Sequence, residues 1–451
     1  MRTMRMMSKP LRNRLSAFLF AAAAAVPALA APPTPPAVNA QDRAAIIDDV
    51  AAALRETYVF PETAQRMEEL MRRQLQSGAY DHLATLDAFT EKLTADLRSV
   101  SHDLHLGVDW DPEPATPATG GPTPEERQAR RAAAMRRDNY CFRKVERLAG
   151  NVGYLKLDCF APADLAGSTA VAAMGFLAGS DALIFDLRDN GGGSPSMIQL
   201  ITSYLVSGEP THLNNFYVRK GDKTEQFWTQ AWVPGTRLPA VPVFVLTSGR
   251  TFSAAEEFTY NLKNLKRGTI VGETTGGGAH PVDGHQVKGY PVTVSLPFGR
   301  AVNPITGTNW EGTGVEPDVK VAAPEALAVA HERALAAIVD KTSEPALKAQ
   351  LDFVRGVLED RRKPVSLSAA EQQAFAGTYG PRSVTVEDGA LWYQRGKGRK
   401  MPLLAVGQDR FLVGDLDDFR FRFERDASGH VARLVGLYAD GTEEPNSRGS
   451  E

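Results

Sequence analysis

The sequence has few cysteines, no block of basic residues and no long apolar run beyond its N-terminus, and each absence excludes a class of protein. Two cysteines without a nearby pair of histidines do not make a structural zinc site. Without a run of about 20 apolar residues, no membrane-spanning helix is expected in the mature chain. A mildly acidic chain that lacks a basic block is a poor candidate for a nucleic-acid-binding protein. A globular protein remains, and its 451 residues are enough for more than one domain.

Residues 1–30 have the features of a secretory signal peptide. Five basic residues and no acids precede the apolar run SAFLFAAAAAVPALA, which ends in the small-residue pattern Ala28-Leu29-Ala30. Cleavage after Ala30 lowers the formal net charge from −3 to −8, because five cations leave with the signal. An uncleaved anchor is the alternative, which the short run and Pro27 disfavour. The mature protein is expected in the periplasm or outside the cell, and no cysteine directly follows the signal to carry a lipid anchor.

The two cysteines, Cys141 and Cys159, flank a predicted hairpin in which cross-strand pairing is geometrically possible. Export to an oxidising compartment permits a disulfide between them. Two buried free thiols are the alternative, because cysteine is among the most buried residue types. The sequence leaves both states open.

Residues 31–138, which follow the signal, contain three segments with different residue patterns. Residues 31–40 are a Pro-rich lead-in that is expected to be disordered, and residues 41–110 show helical periodicity that ends in a strand. Residues 111–138 contain a Pro-, Thr- and Gly-rich linker followed by a short charged helix.

Two further regions follow. Residues 139–345 alternate apolar strand runs with helices, a pattern that predicts an α/β layered domain with a largely parallel sheet. Residues 367–451 consist of short strands separated by Gly and Asp turns, which predicts a separate small antiparallel β module. Substrate handling or structural support are the expected roles of this module.

The segment VPVFVLTSGRTFSAAEEF delivers a buried strand to a tight turn and then to a helix. A side chain at such a helix start is exposed at the sheet edge, and the free N–H groups there can stabilise an oxyanion. Ser253 is therefore a candidate nucleophile, with the backbone N–H of Ala254 as one oxyanion donor. The alternative is purely structural, because Ser253 and Glu256 also form the S-x-x-E pattern of a capping box.

A second candidate segment is DALIFDLRDNGGGSPS, in which three glycines follow a buried strand. Glycines let the backbone approach a ligand and direct its N–H groups inward, so Gly191, Gly192 and Gly193 are candidates for the second oxyanion donor. A plain Gly-rich turn is the alternative. The spacing does not fit the dinucleotide-binding pattern G-x-G-x-x-G.

The sequence resembles the carboxyl-terminal processing (tail-specific) serine peptidases in five segments that occur in the family's order: VGYLKLDCF, FDLRDNGGG, LTSGRTFSAAEEF, VGETTGGGAHP and GTNWEGTGVEPD. The resemblance covers residues 40–340 and is closer to the branch that includes tricorn core protease and the interphotoreceptor retinoid-binding protein. It implies a crotonase-like (ClpP/crotonase) α/β core preceded by a helical N-terminal domain. No module similar to a PDZ domain lies between these parts, so the family's recognition of free C-termini is not carried over.

The family has two catalytic designs, and the resemblance distinguishes between them here. One design is a Ser–Lys dyad, but Gly278 stands where the lysine would be. The other is a Ser–His–Glu triad whose histidine lies before the core, in the segment that reads SHDLHLGV here. This implies that His105 is the general base, with His102 as the alternative.

The triad's third member is implied to be Glu311, which follows Ser253 by 58 positions in the segment where the tricorn-like branch carries its glutamate. It would orient the imidazole and stabilise its charged form. Glu316 is the alternative. His280 and His285 lie in a Gly-rich stretch and are expected to line a substrate groove or to be ordinary loop residues. No further ligands complete a metal site around them.

The expected function is that of an exported serine peptidase with a polypeptide substrate and no cofactor. A binder of an apolar ligand, of the retinoid-binding type, and a hydrolase of small esters are the alternatives, because one fold can host several functions. The substrate, the cleavage preference and the oligomeric state do not follow from the sequence.

Overall fold

A computed structural model describes residues 34–111 and 123–449 of the protein. The predicted signal peptide and most of the predicted linker lie outside the described residues. The helices in these ranges are α1 (Ala40–Thr57), α2 (Pro61–Gln76), α3 (Leu86–Ser101), α4 (Pro124–Arg137), α5 (Ala163–Leu177), α6 (Pro195–Leu205), α7 (Ala254–Asn264), α8 (Ala326–Lys341), α9 (Pro345–Arg361) and α10 (Ala369–Phe375).

The strands fall into three groups along the chain. The first is β1 (Gly107–Trp110), β2 (Phe142–Leu148), β3 (Val152–Leu157), β4 (Ala182–Asp186), β5 (His212–Val218) and β6 (Lys223–Trp228). The second is β7 (Val243–Thr247), β8 (Thr269–Gly272), β9 (Val282–Gln286), β10 (Val292–Pro297), β11 (Gly299–Val302) and β12 (Val319–Lys320). The third is β13 (Gly377–Tyr379), β14 (Arg382–Glu387), β15 (Ala390–Arg395), β16 (Met401–Ala405), β17 (Arg410–Val413), β18 (Phe419–Arg425), β19 (Val431–Tyr438) and β20 (Glu443–Ser447).

The central sheet has six strands in the order β12-β8-β7-β4-β3-β2, and every neighbouring pair except β2–β3 is parallel. Every residue of β4 and β7 is buried, because helices cover both faces of the sheet. Helices α5, α6 and α7 pack on one face, and α8 and α9 pack on the other. This layering agrees with the α/β expectation, although α9 was not indicated by the sequence pattern.

The N-terminal helices share a core with a hairpin from much later in the chain. Strand β1 pairs with β10, and β10 pairs with β9, so all three form one antiparallel sheet. Val292, Val294 and Leu296 of β10 are buried in the same cluster as Ile46 and Leu93 of the helices. The segment YPVTVSLPFGRAV, which the sequence pattern assigned to the α/β region, thus also packs against the N-terminal helices.

The C-terminal region is an eight-stranded antiparallel meander from β13 to β20. Its two ends meet, because Tyr379 of β13 bridges Arg448 and the N–H of Gly449 donates to Thr378 O at 2.8 Å. Buried phenylalanines fill the space between the strands, and α10 contributes Phe375 to them. The expectation of an antiparallel β region is confirmed.

Cys141 and Cys159 form a disulfide, which decides between the two states that the sequence left open. The bond joins the turn before β2 to the residue two positions after β3. Among the described residues, no helix combines the length and the apolar character that are needed to cross a membrane.

The disulfide should stabilise the fold measurably. It closes a sequence separation of 18 residues, for which loop entropy predicts a contribution of about 3 kcal/mol to the free energy of unfolding. Urea denaturation with and without dithiothreitol should show this difference. The double variant Cys141→Ser, Cys159→Ser should be insensitive to reductant, and equal midpoints for the wild type under both conditions would contradict the expectation.

Candidate active site

Ser253 lies in the tight turn between β7 and α7. Its backbone angles are φ 56° and ψ −122°, a conformation that is strained for any residue except glycine. Two hydrogen bonds tie the turn to the chain that follows β4: Ser248 Oγ donates to Arg188 O at 2.6 Å, and Thr251 Oγ1 donates to Leu187 O at 2.8 Å. Such bonds hold the serine in its strained conformation, which is a feature of functional turns.

Glu256 is fully buried one turn into α7 and accepts four hydrogen bonds. Its carboxylate accepts from the backbone N–H of Ser253 at 2.8 Å, as the capping interpretation predicts for the glutamate. It also accepts from Thr275 Oγ1 at 2.5 Å and from the N–H groups of Gly277 and Gly278 at 2.7 and 2.8 Å. Burial raises its pKa and these donors oppose the rise. Glu256 therefore does more than cap a helix, because it also anchors the Gly-rich segment beside Ser253.

Gly192 packs directly against the nucleophile candidate. A Cβ atom at this position would lie 2.7 Å from Ser253 Cβ and 3.1 Å from Ala254 N, so only glycine allows the approach. Its N–H, however, already donates to Asn190 Oδ1 at 2.9 Å. Gly192 therefore provides close packing, and the expectation that it donates to an oxyanion is wrong in this geometry.

Gly193 is better placed to donate. The hydrogen bonds from Phe160 N to Gly192 O and from Ser194 N to Phe160 O, both 2.7 Å, direct the N–H of Gly193 away from Phe160. Gly193 lines the same pocket as Ala254, whose N–H at the first position of α7 has no partner within the helix. The two N–H groups are the candidates for an oxyanion site.

His105 approaches Ser253 from the N-terminal region. Its ring lies against Phe252, the neighbour of Ser253, with the ring centroids 4.6 Å apart. The Asp103 carboxylate accepts from the His105 backbone N–H at 3.0 Å and fixes the loop. Burial lowers the pKa of His105 to about 4, so the ring is neutral at pH 7, and its buried Nδ1 has no hydrogen-bond partner. The alternative base, His102, is exposed in a left-handed conformation that ends α3.

Glu311 reaches the same place from the loop before β12. Its Oε2 accepts from the N–H of Ala279 at 2.5 Å, whereas its buried Oε1 has no partner. A carboxylate oxygen of Glu311, a ring nitrogen of His105 and an oxygen of Asp103 all lie within 4.8 Å of one another. Burial raises the pKa of Glu311 to about 7, an effect that His280 opposes. His105 and Glu311, predicted from separate segments, are thus brought together.

Two further residues belong to this cluster: Asp103, which the sequence did not single out, and His280, which was expected only to line a substrate groove or to be a loop residue. His280 Nδ1 lies 2.7 Å from Asp103 Oδ2, and Tyr58 Oη donates to the same oxygen at 3.2 Å. Burial alone would raise the pKa of Asp103, but the interaction with His280 outweighs it and the pKa stays below its usual value. His285, in contrast, pairs with Asp49 at 2.5 Å. In the sequence, the only indication of the Asp103–His280 pair was the acid inside the segment SHDLH.

Gly278 stands where the Ser–Lys design has its lysine, and the space that a side chain there would need is filled by Phe252 and His105. A Cβ atom on Gly278 would lie 2.3 Å from the ring of Phe252 and 2.6 Å from Cε1 of His105, so no larger side chain fits. Lys263 and Lys266, the lysines nearest to Ser253 in sequence, line a different pocket. The geometry therefore leaves no place for a lysine at this point.

A pocket of about 310 Å³ opens beside Ser253 and is lined also by Gly193, Ala254, Glu257 and His280. Its position next to the serine and the two oxyanion candidates makes it the natural place for a substrate group. Glu316, the alternative third member, is exposed and does not line this pocket.

The Asp103, His105 and Glu311 side chains also form the one group among the described residues that could hold a metal ion. The oxygens of Asp103 are already used by Tyr58, His280 and the His105 backbone. Asp103 therefore fits the role of a carboxylate that positions its neighbours. It does not fit the role of a ligand that is open to a cation.

Three solved structures illustrate what this chain is similar to. A protein from Parabacteroides merdae is 20% identical, with a TM-score of 0.43, over 62% of this chain and 90% of that one. The photosystem II D1 C-terminal processing protease is 18% identical, with a TM-score of 0.39, over 62% and 93%. The tricorn protease is 13% identical, with a TM-score of 0.40, over 70% and 37%.

Family models match most of the region that contains the site. Residues 151–321 match the model described as peptidase family S41, and residues 40–145 match the N-terminal domain of peptidase S41 in eukaryotic IRBP. The first match contains Ser253 and Glu311, and the second contains His105. The chain therefore belongs to peptidase family S41, a family of serine-type peptidases.

Proposed function

We propose that this serine peptidase cleaves polypeptides through an acyl-enzyme on Ser253, with His105 as the general base and Glu311 orienting the base. Family membership supports the peptidase activity, and the arrangement of the three side chains supports their roles. We also propose a crotonase-like fold for the core at 139–345, a helical domain at 41–110 and a β module at 367–451.

One observation carries the assignment of the base and its partner. His105 Nδ1 and Glu311 Oε1 are both buried and both lack a hydrogen-bond partner. Burial without a partner is costly for each group, and a hydrogen bond between them would remove that cost. A ring nitrogen of His105 and an oxygen of Glu311 already lie within 4.8 Å. A small closure when substrate binds would join them, since catalytic hydrogen bonds are often long before substrate is present.

The reaction then follows the chemistry of acyl transfer. Ser253 Oγ attacks the scissile carbonyl carbon while its proton passes to His105, and Glu311 stabilises the imidazolium. The N–H groups of Ala254 and Gly193 receive the oxyanion. His105 next protonates the leaving amine as the C–N bond breaks. Water, deprotonated by His105, hydrolyses the ester and releases Ser253.

We further propose that the protein is exported, to the periplasm or outside the cell. The signal-like residues 1–30 support this, and so does the Cys141–Cys159 disulfide, because such bonds persist in oxidising compartments.

Labelling with a fluorophosphonate probe tests the nucleophile and the base. The wild type should label, Ser253→Ala should not, and His105→Ala should label at least about 10²-fold more slowly, since it lacks the base. His102→Ala is the matched control and should label like the wild type, because His102 is exposed. A folded wild type that does not label would favour a binding protein instead.

The rate of labelling should depend on the ionisation of Glu311. Because burial raises the pKa of Glu311 to about 7, the carboxylate is lost as the pH falls through 7, and the labelling rate should fall with it. Glu311→Gln should lower the rate by about 10²-fold and remove this limb of the profile, whereas the exposed control Glu316→Gln should keep it. An unchanged limb in Glu311→Gln would show that another group titrates.

The space at Gly278 should be essential. Gly278→Ala places a methyl group against Phe252 and His105, so His105 should move and kcat/KM should fall by about 10²-fold. Gly284→Ala is the control, because its Cβ would meet only Thr293 Cγ2 at 3.8 Å. Full activity in Gly278→Ala would show that the ring positions are not those used in catalysis.

A further inference from the structure

The pocket beside Ser253 contains a buried acid that the proposed mechanism does not use. Glu257 is 3% exposed and lines the pocket together with Ser253. Its N–H donates to Ser253 O at 3.0 Å, so it lies one helical turn beyond the nucleophile. A separation of four residues corresponds to about 6 Å along a helix axis.

Two amides face this carboxylate without neutralising it. Asn214 Oδ1 accepts from the Asn215 N–H, and Asn261 Oδ1 accepts from Asn303 Nδ2 at 3.4 Å, so both amide oxygens are already engaged. Both amides interact with Glu257, yet neither Nδ2 forms a hydrogen bond of full geometry. Burial raises the pKa of Glu257 to about 7, which the amides only partly oppose. The carboxylate thus lacks a cationic partner.

The remaining surface of the pocket is apolar or acidic. Phe216, Phe298 and Trp310 provide aromatic walls, and Asp283 is an exposed acid among the lining residues. The described residues that line the pocket include no lysine or arginine. His280, the other titratable group there, is already paired with Asp103.

We infer that this pocket selects substrates by the residue whose carbonyl Ser253 attacks, and that it accepts lysine or arginine, with the cation against Glu257. This inference rests on the proposed function and names the substrate class of the same site. The apolar stem of the side chain would lie along the aromatic walls while its charged end reaches the carboxylate.

The energetics favour a cation over a neutral group. A buried carboxylate whose partners are two neutral amides is costly to ionise, and a bound cation offsets that cost while forming a charge-assisted hydrogen bond. A neutral side chain of the same length makes the same contacts with the aromatic walls but leaves Glu257 without a cationic partner. Discrimination is therefore expected to depend on the charge rather than on the size of the substrate side chain.

The test compares kcat/KM of the mature protein on fluorogenic peptides that differ only at that residue: lysine, arginine, norleucine and glutamate. Norleucine retains the four-carbon stem of lysine without its charge. The wild type should prefer lysine over norleucine by about 30-fold or more, the effect of breaking a buried charge pair. Glu257→Gln should bring the two substrates within about threefold, as expected when only apolar contacts discriminate.

Each ratio is taken within one protein, so an overall loss of activity in Glu257→Gln does not affect it. Fluorophosphonate labelling of the variant shows that its site is assembled, and Glu225→Gln, an exposed acid on β6, is the control that should keep the wild-type ratio. As a second measurement, the small cation benzamidine should slow labelling of the wild type more than of Glu257→Gln.

The outcomes separate this inference from the proposed function. A wild type that labels but does not prefer basic residues overturns the inference alone, as does a Glu257→Gln variant that retains the preference. A folded wild type that neither labels nor cleaves any of the peptides overturns both.

Discussion

The hydrogen bonds that the buried carboxylate of Glu256 accepts hold the two segments of the site together. It accepts hydrogen bonds from the Ser253 N–H at the start of α7 and from three donors between residues 275 and 278. A buried carboxylate is stable only when such donors surround it, so the two segments are held at a fixed separation. The next two residues of the segment bind the other acids of the site: the N–H of Ala279 donates to Glu311, and His280 is hydrogen-bonded to Asp103.

This construction joins regions that are far apart in the chain. Asp103 and His105 belong to the loop after the N-terminal helices, whereas His280 directly precedes the hairpin that packs into the same helical core. The N-terminal helical core therefore positions both Asp103 and His280, because the segments next to each of them pack in it. The N-terminal region is part of the site, since it supplies His105, whose ring lies against Phe252 beside the serine turn.

The environment of each titratable group suits a different role. Burial keeps His105 neutral, so its nitrogen can accept a proton, while burial keeps the pKa of Glu311 near 7, where its ionisation responds to the charge beside it. Asp103 remains ionised because His280 compensates it. Pairs whose environments separate their pKa values are characteristic of acid–base sites. The tight packing of Phe252 and His105 around Gly278 leaves no room for the lysine of the alternative design.

The features that depend on neighbouring residues could be predicted from the sequence alone. The strand–turn–helix around Ser253, the layered α/β region and the β-rich C-terminal region were all predictable, because periodicity and turn residues act over a few positions. The family resemblance added His105 and Glu311 as candidates. It did not indicate the Asp103–His280 pair, the loss of the Gly192 N–H to Asn190 or the buried Glu257 of the pocket. These features follow from the fold, because each depends on which distant side chains share a buried volume, and no local pattern carries that information.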